Sequence, residues 1–426
     1  MEEAQHCSLI VDKTSGRIEN ITIEPLLKEF GSPLFVVSER VIREKYRLLA
    51  DTLKLAYPSS RIAYSFKTNY VAGICGILKE SGALAEVVSG FEYWLAKRLG
   101  YAGVDIIFNG PYKRDGDLLQ AVNDNCMLNI DNWEELERLD SLMLKHSRHA
   151  FVGLRLNVNH GREDSKPWSR FGFNIENGEA YETLFKVKRR LKNIAIHGIH
   201  LHIGTNIEDP LQYKLMAEKT AGLIAEIRKK LDIEIKYVDL GGGFPVYGNR
   251  LFGNKVSNVP QIEDYIHAIV APIRRSPAQP LVLLEPGRFL VAEGICLLTT
   301  VVSGKKINNI PTVTVDSSTS FLREASFIDH KISALKPVAA DDCFPTVVFG
   351  YSCTQHDILG QAKLPILGKG DILAIHNVGA YSIPRSSQWI FPRPAIVSIG
   401  ENGKISVLRR KEKNEDMVSL DKLPFA

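Results

Sequence analysis

The sequence predicts an α/β protein in which a closed (β/α)8 barrel occupies residues 40–290 and a β-rich domain is built from residues 1–39 and 291–426. Two observations favour this fold. Between residues 60 and 290, eight short apolar strands alternate with longer amphipathic segments. After residue 290, β-branched runs broken by Gly, Pro and Asn replace that alternation. Eight strand–helix units in about 230 residues match the usual size of a barrel, but periodicity alone does not exclude an open doubly wound sheet.

The candidate barrel strands are eight apolar segments. They cover residues 61–66, 83–89, 105–110, 126–131, 151–158, 196–203, 235–243 and 281–287. Amphipathic stretches between them predict the intervening helices, for example over 90–100, 132–146 and 213–231. The β-rich domain is indicated by runs such as "PTVTVDSSTSF" and "DILAIHNVGAY", and the N-terminal run "PLFVVSE" adds a candidate strand to it.

Composition and charge are those of an ordinary globular chain. The 426 residues are 45% hydrophobic, and 53 Lys and Arg nearly balance 49 Asp and Glu. Basic residues do not cluster as they do in nucleic-acid-binding proteins. The N-terminus lacks a signal-peptide pattern, and no apolar run has the length of a membrane span. The six cysteines lack metal-finger spacing, so we expect a reduced, cytoplasmic, soluble protein.

Polar residues follow the candidate strands at the end where barrel active sites lie. Reading off these ends gives Lys67, Ser89, Asn109, Asn157, His202, Gly241–Gly243 and Glu285. Lys67 stands at the tip of the buried run "IAYSF", although lysines are mostly solvated and an exposed strand end is the ordinary explanation. Glu285 ends the apolar run "LVLLE", where a carboxylate needs a cation or a protonated ring nitrogen as partner, and Arg288 is the simplest candidate.

The motif "DLGGGFP" places three glycines directly after a strand. Glycines let backbone N–H groups approach an anion closely, so the run indicates a phosphate site, although a flexible turn is the alternative. Thr205 and Arg288 add a hydroxyl and a cation at neighbouring strand ends. Together these features predict a phosphate-bearing ligand at the barrel mouth.

Three histidines lie close together in "HGIHLHIG", at positions 197, 200 and 202. No HExxH pattern accompanies them, so we predict no metal and expect His202 to present a flat ring at the strand tip. A lysine, a phosphate site, a flat ring and a carboxylate are the groups that pyridoxal 5'-phosphate uses.

Eight motifs resemble, in order, those of the fold-type III pyridoxal-phosphate decarboxylases, and the diaminopimelate decarboxylases are more similar than the ornithine and arginine decarboxylases. They are "YSFKTN", "SGFEYWLAKRLG", "NGPYK", "HGIHLHIGT", "DLGGGFP", "EPGRFLV", "GYSCTQHD" and "NVGAYS". The resemblance covers roughly residues 25–400 and implies an alanine-racemase-like barrel, a carboxy-lyase activity in amino-acid biosynthesis, and a head-to-tail homodimer with shared active sites.

The resemblance also implies roles for individual residues. Lys67 resembles the Schiff-base lysine, His202 the ring that stacks on the cofactor, and Glu285 the carboxylate that faces the pyridine nitrogen. Racemases of this fold place an arginine there, so Glu285 favours decarboxylation. The positions that resemble the family's phosphate site are Thr205, Gly241, Gly242, Gly243 and Tyr381, and Tyr381 also lies beside the substrate by this resemblance. Arg288 and Arg323 resemble the cations that bind the substrate carboxylate or the phosphate. Cys353, supplied across the dimer interface, resembles the residue that delivers a proton.

Two positions depart from the family at the substrate end. Thr354 replaces the glutamate of the family's C-E-S-x-D pattern, and Phe327 replaces a tyrosine. A threonine hydroxyl cannot give a distal ammonium a charge-assisted bond. We therefore expect an altered distal pocket that accepts a neutral, acylated or carrier-tethered amino acid. The alternatives are an authentic meso-diaminopimelate decarboxylase of lysine biosynthesis and a non-catalytic pyridoxal-phosphate-binding regulator.

The polar segment 159–173 follows the fifth candidate strand. It either contributes contacts near the substrate, with Arg170 as an anion binder, or is a surface loop.

Overall fold

A computed structural model describes residues 8–160, 170–246, 250–251, 259–276, 278–336 and 342–422. The chain divides into two compact units. The barrel unit comprises Tyr46–Pro245 and Asn258–Phe289, and the β-rich unit comprises Met1–Lys45, Val246–Ser257 and Leu290–Ala426. The domain limits predicted from the sequence, at residues 40 and 290, remain a prediction. No helix in the described part of the chain is both long and apolar enough to cross a membrane.

The N-terminal part contains four short strands and two helices. In chain order they are β1 (Val11–Asp12), β2 (Arg17–Ile18), β3 (Ile21–Thr22), α1 (Ile23–Phe30), β4 (Leu34–Ser38) and α2 (Glu39–Ala56). Strands β1 to β3 form a small antiparallel sheet.

Eight parallel strands form the barrel, and two further two-residue strands occur in the same stretch. The strands of this stretch are β5 (Ser60–Ser65), β6 (Leu84–Val87), β7 (Ile106–Phe108), β8 (Met127–Ile130), β9 (Ala150–Asn157), β10 (Phe173–Asn174), β11 (Ile194–Leu201), β12 (Tyr237–Asp239), β13 (Arg250–Leu251) and β14 (Leu281–Leu284). Strand β14 pairs with β5, and β8 pairs with β9, so the sheet closes. The predicted closed barrel is confirmed, and the open doubly wound sheet is excluded.

Helices follow the barrel strands, as the amphipathic stretches predict. They are α3 (Ala72–Glu80), α4 (Gly90–Arg98), α5 (Asp115–Asn123), α6 (Trp133–Lys145), α7 (Glu179–Arg190), α8 (Pro210–Leu231), α9 (Ile262–Arg274) and the short α10 (Arg288–Val291). Local sequence sets their starts: Ser89 caps α4 by accepting from the Glu92 N–H, and Asn132 caps α6 by accepting from the Glu135 N–H. Leu136, Leu139 and Met143 bury one face of α6 at helical spacing.

Tyr237 fills the interior of the barrel. Its ring is buried, and glycines on two other strands leave room for it. A Cβ built at Gly198 would lie 2.0 Å from Tyr237 Cζ, and one at Gly153 would lie 2.4 Å from the Tyr237 hydroxyl. These glycines are therefore required by close packing, and the barrel is a filled core with its polar groups at one end.

The β-rich unit is built on a long sheet with the order β20-β19-β16-β15-β4-β22-β23. Its elements after the barrel are β15 (Ile295–Ile307), β16 (Ile310–Val315), β17 (Ile328–Asp329), β18 (Ile332–Ala334), β19 (Phe344–Phe349), β20 (Ile358–Leu364), β21 (Ile372–Ile375), β22 (Ala395–Ile399), β23 (Ile405–Arg409) and α11 (Asn414–Met417). The N-terminal strand β4 lies between β15 and β22, which confirms that both chain ends contribute to this unit.

Candidate active site

Lys67 lies just beyond β5, in a short 3-10 helix over Phe66–Thr68. Its Nζ is 2.6 Å from Glu86 Oε2, and the Lys67 side chain is 35% exposed while that of Glu86 is fully buried. The Ser65 hydroxyl donates to the same carboxylate oxygen at 2.5 Å. The lysine is therefore held at the strand tip by a buried carboxylate rather than being freely solvated.

The side-chain amide of Asn109 connects two carboxylates at the carboxyl ends of the strands. Its Nδ2 donates to Glu86 Oε1 at 3.1 Å and to Glu285 Oε1 at 2.5 Å. Asn129 Nδ2 donates to Asn109 Oδ1 at 2.8 Å, and the Tyr237 hydroxyl donates to Asn129 Oδ1 at 2.8 Å. A hydrogen-bonded chain thus runs from the barrel core to both carboxylates.

Glu285 belongs to a buried cluster with His200 and Asp239, in which one nitrogen and two oxygens lie within 4.8 Å of one another. Burial raises the pKa of Glu285, but contacts with His200 and Asp239 outweigh it and leave this pKa below its ordinary value. Burial, and then the Glu285 charge, raise the pKa of Asp239 well above its ordinary value. The two pKa values shift in opposite directions, so Glu285 is the stronger acid of the pair and Asp239 the weaker. These three atoms are close enough to share a metal ion, so the absence of a metal stays a prediction.

His202 directly follows β11 and is partly buried. Its Nδ1 accepts from the Gly242 N–H at 3.3 Å. Burial and the nearby Lys67 charge lower the pKa of His202 to about 3. The ring is therefore neutral near pH 7, which agrees with Nδ1 acting as an acceptor.

The glycine run after β12 is packed against backbone on both sides. A Cβ at Gly242 would lie 2.1 Å from the Glu285 carbonyl oxygen, and one at Gly243 would lie 2.3 Å from the Gly204 carbonyl oxygen. Gly241 and Gly243 also have φ of +66° and +99°, which side chains rarely adopt. Only glycines fit here, because side chains would clash with neighbouring backbone or require a strained φ.

The barrel unit offers what pyridoxal phosphate needs. An amine lies at the strand tip for the aldehyde, an ionised carboxylate for the pyridine nitrogen, and a glycine loop for the phosphate. Several buried polar atoms have no hydrogen-bond partner among the described residues, including His200 Nδ1 and Thr68 Oγ1. Such orphaned groups at one end of the barrel indicate a site built for a polar ligand, and the residues fit this cofactor.

Other predicted residues occupy varied surroundings. In the barrel unit, Arg288 is buried at the start of α10, whereas Thr205 is exposed. The remaining ones belong to the β-rich unit: Arg323, Phe327, Cys353 and Thr354, which are exposed, and Tyr381, which is partly buried with φ of +59°. The Phe327 ring is 46% exposed, and the Arg385 guanidinium lies 5.7 Å from its centre.

The turn that carries Cys353 and Thr354 is organised by the buried Asp357. This carboxylate accepts from the backbone N–H groups of Thr319 at 2.8 Å and Ser352 at 2.9 Å. The Asp357 N–H donates to the Thr354 carbonyl at 3.1 Å. The turn is therefore fixed by its own backbone contacts while the Cys353 and Thr354 side chains are exposed.

Sequence reasoning missed three charged residues in the barrel. Glu86 and Asp239 lie inside apolar strands, and this interruption of "ALAEVVS" and "YVDLGGG" was the available signal. The third is Arg155, on β9. Its Nη1 lies 3.6 Å from Asp131 Oδ1, and its guanidinium carbon lies 4.3 Å from the centre of the Phe171 ring.

The polar segment predicted over residues 159–173 falls largely outside the described residues, because 161–169 are not described. Within its described end, the Arg170 guanidinium lies 4.1 Å from the centre of the Phe171 ring. Its role as an anion binder stays a prediction.

The closed barrel with this lysine, carboxylate and glycine loop, together with the β-rich unit, is typical of a pyridoxal-phosphate-dependent carboxy-lyase. Residues 40–292 match the family model described as "Pyridoxal-dependent decarboxylase, pyridoxal binding domain". The chain belongs to this family, and its reaction is the pyridoxal-phosphate-dependent decarboxylation of an amino acid.

Relatives with this reaction cover nearly the whole chain. The diaminopimelate decarboxylase of Aquifex aeolicus is 28% identical over 424 residues, 95% of each chain, and that of Bacillus subtilis is 28% identical over 423 residues, 94% of this chain and 93% of its own. The solved diaminopimelate decarboxylase of M. jannaschii superimposes with a TM-score of 0.88 at 26% identity over 98% of each chain. The Helicobacter pylori enzyme, solved with L-lysine, gives a TM-score of 0.82 at 26% identity over 94% of this chain and 99% of its own.

Proposed function

We propose that this chain decarboxylates its amino acid at a barrel site built from Lys67, His202, Gly241–Gly243 and Glu285, and that its distal substrate pocket differs from that of the diaminopimelate decarboxylases. The main support for this site is the ion pair between Lys67 Nζ and the buried Glu86 at 2.6 Å. Asn109 donates hydrogen bonds to both Glu86 and Glu285 and so links the two carboxylates. An amine and an ionised carboxylate held in one network suit a cofactor that needs both.

Pyridoxal phosphate, when bound, supplies an electron-withdrawing pyridine ring that accepts the electron pair left by the departing carboxylate. Lys67 Nζ is the nucleophilic atom that attaches the cofactor, and Glu86 orients it and balances its charge. Glu285 is ionised and stabilises a proton on the pyridine nitrogen. The neutral His202 ring provides a flat surface that adds no positive charge beside that nitrogen.

The phosphate is assigned to the glycine loop Gly241–Gly243, with the Thr205 hydroxyl, the Arg288 guanidinium and the Tyr381 hydroxyl. Within the loop, the Gly241 N–H donates to Asp239 Oδ1 at 3.0 Å and the Gly242 N–H to His202 Nδ1 at 3.3 Å, so the donor that we assign to the phosphate is the Gly243 N–H. The loop is supported by the positive φ of Gly241 and Gly243 and by the close packing of Gly242, which together exclude side chains. Thr205, Arg288 and Tyr381 are assigned by their place in motifs shared with the family.

The substrate end is assigned to residues of the β-rich unit. Arg323, with Arg288 of the barrel unit, binds the substrate carboxylate. The Cys353 thiol delivers a proton to the α-carbon in place of the departing CO2, and Thr354 and Phe327 with Tyr381 line the distal end. Thr354 carries no charge and Phe327 no hydroxyl, so a distal ammonium would lose two polar partners that the family's pattern provides. This argues for a neutral, acylated or carrier-tethered side chain.

The second candidate is meso-diaminopimelate itself. It is supported by the relatives named above, which are diaminopimelate decarboxylases 28% identical over nearly the full chain length. The two candidates differ only in the distal end of the substrate, because both use the same barrel site.

The discriminating experiment measures CO2 release by purified, pyridoxal-phosphate-loaded protein. The panel contains meso-diaminopimelate, L-ornithine, L-arginine, neutral amino acids, Nε-acylated lysine-type amino acids and an amino acid thioesterified to a carrier protein. We expect turnover of a neutral, acylated or carrier-linked member and little from meso-diaminopimelate. Efficient turnover of meso-diaminopimelate alone would show that Thr354 and Phe327 do not redirect specificity.

We also infer a homodimer in which Cys353 serves the barrel site of the other subunit, as the family resemblance implies. Mixing inactive Lys67→Ala protein with inactive Cys353→Ala protein tests this arrangement. Random subunit exchange would restore about a quarter of wild-type activity, since half of the dimers regain one intact site. No recovery, with exchange verified by a mass-tagged subunit, would place Cys353 and Lys67 in sites of the same chain.

A further inference from the structure

The Asn109 side chain occupies an unusual position, because one amide nitrogen serves two buried carboxylates. Nδ2 lies 3.1 Å from Glu86 Oε1 and 2.5 Å from Glu285 Oε1. We infer that Asn109 is a positioning residue that fixes the carboxylate paired with Lys67 relative to the carboxylate assigned to the pyridine nitrogen. The inference rests on the proposed function of Lys67 and Glu285.

The orientation of this amide follows from the groups around it. Ionised carboxylates only accept hydrogen bonds, so the NH2 end of Asn109 must face Glu86 and Glu285. Oδ1 of Asn109 then faces Asn129, which must donate through its own Nδ2 at 2.8 Å. The Asn129 oxygen in turn requires the Tyr237 hydroxyl as donor, at 2.8 Å. Every donor in the chain therefore points toward the two carboxylates.

These hydrogen-bonded side chains offset the cost of burying two carboxylates close together. Glu86 and Glu285 are both buried, and the amide group between them is neutral. Lys67 balances Glu86 at 2.6 Å, while His200 Nε2 lies 3.5 Å from the other oxygen of Glu285. Each carboxylate accepts a hydrogen bond from the Asn109 amide, which therefore stabilises the negative charge of both without adding a net charge.

Three substitutions separate this role from ordinary core packing. Asn109→Asp has nearly the same shape but adds a third acid. Asn109→Ser adds no charge, and its hydroxyl has a single hydrogen, so it cannot bridge two acceptors. Asn177→Asp is the matched control for the charge, because Asn177 is exposed and uses Oδ1 to accept from the Glu179 N–H, which aspartate retains.

The primary readout is the absorbance of bound pyridoxal phosphate against pH in protein without substrate. Both Asn109 variants leave the negative charge of the carboxylates less compensated. We therefore expect the pH at the midpoint of the absorbance change to rise by about one unit or more. We also expect kcat to fall at least about tenfold while KM changes less than about twofold, since Asn109 is not among the residues assigned to the substrate. Asn177→Asp should match the wild type in both measurements.

An unchanged absorbance midpoint in folded, cofactor-loaded Asn109→Ser protein would overturn the inference. Should Asn109→Asp fail to fold, as judged by circular dichroism, Asn109→Ser decides alone. The proposed function fails separately: Lys67→Ala protein that keeps the wild-type absorbance would show that the cofactor is attached elsewhere, whatever the Asn109 variants do.

Discussion

Lys67 and Glu86 form an ion pair at the tip of the first barrel strand, with Nζ 2.6 Å from Oε2. The carboxylate is fully buried and also accepts from the Ser65 hydroxyl and the Asn109 amide. A buried charge that keeps three donors is well compensated, and the lysine contributes the only formal positive charge among these three. We therefore expect the reactivity of Lys67 to depend on Glu86.

Glu86→Gln should reduce decarboxylation at least about tenfold, because the amide keeps the size of the side chain but removes its negative charge from Lys67. The measurement is kcat, with the cofactor content of each preparation determined by absorbance. Asp105→Asn is the control, since it breaks the exposed Arg61–Asp105 pair at 3.0 Å and should leave kcat unchanged. Equal activity of Glu86→Gln and wild type would contradict the role of this pair.

Gly242→Ala should impair cofactor binding, because the new Cβ would lie 2.1 Å from the Glu285 carbonyl oxygen and must displace the loop or the strand end. We expect the Kd for pyridoxal phosphate, measured by fluorescence titration, to rise at least about tenfold. Gly222→Ala in α8 is the matched control, since its Cβ would meet nothing within 4 Å. That variant should be more stable by about 1 kcal/mol and bind the cofactor normally.

Glu92 links stability to pH. Its buried carboxylate accepts from the Val88 N–H at 2.8 Å, and burial raises the pKa of Glu92 from 4.5 to about 7. A pKa that is higher in the folded state gives stability that is present below pH 4.5 and lost as pH rises through 7. Glu92→Gln keeps the acceptor but does not titrate, so its stability relative to wild type should grow by up to about 3 kcal/mol between pH 5 and pH 8.

The measurement for Glu92 is the difference in Tm between Glu92→Gln and wild type, taken in steps across that pH range. A difference that stays constant, or that shrinks as pH rises, would contradict the raised pKa of Glu92 and would show that its carboxyl is ionised throughout.

Thr354→Glu restores the carboxylate of the family pattern at the predicted distal end. We expect kcat/KM for meso-diaminopimelate to rise at least about tenfold, the value of one charge-assisted hydrogen bond. Gln355→Glu adds the same charge one residue further along the exposed turn and should have little effect. A similar gain in both variants would indicate general electrostatic attraction and contradict a specific role for position 354.

The strand tips were predictable because the carboxyl ends of parallel strands meet at one face of a barrel. Lys67, His202 and Glu285 could therefore be selected from three separate strands by reading where each apolar run stops. The predicted strand over 61–66 corresponds to β5, Ser60–Ser65, and the predicted helix over 132–146 corresponds to α6, Trp133–Lys145.

The connections between strands were not predictable, because they depend on which strands are neighbours and on the side-chain rotamers. Glu86 and Glu285 are 199 positions apart in number and reach the same amide only because β14 closes onto β5 beside β6. Asp239 looks like part of the glycine motif in sequence, and only its burial beside Glu285 shows why its pKa is raised. Such pairings need three-dimensional coordinates.

The most direct measurement reduces pyridoxal-phosphate-loaded protein with borohydride and locates the pyridoxyl label by peptide mass spectrometry. We expect one label per chain, on the peptide that contains Lys67, and none in Lys67→Ala protein. A label on another lysine, such as the buried Lys113, with Lys67 unmodified, would contradict the central claim that this barrel strand tip carries the cofactor.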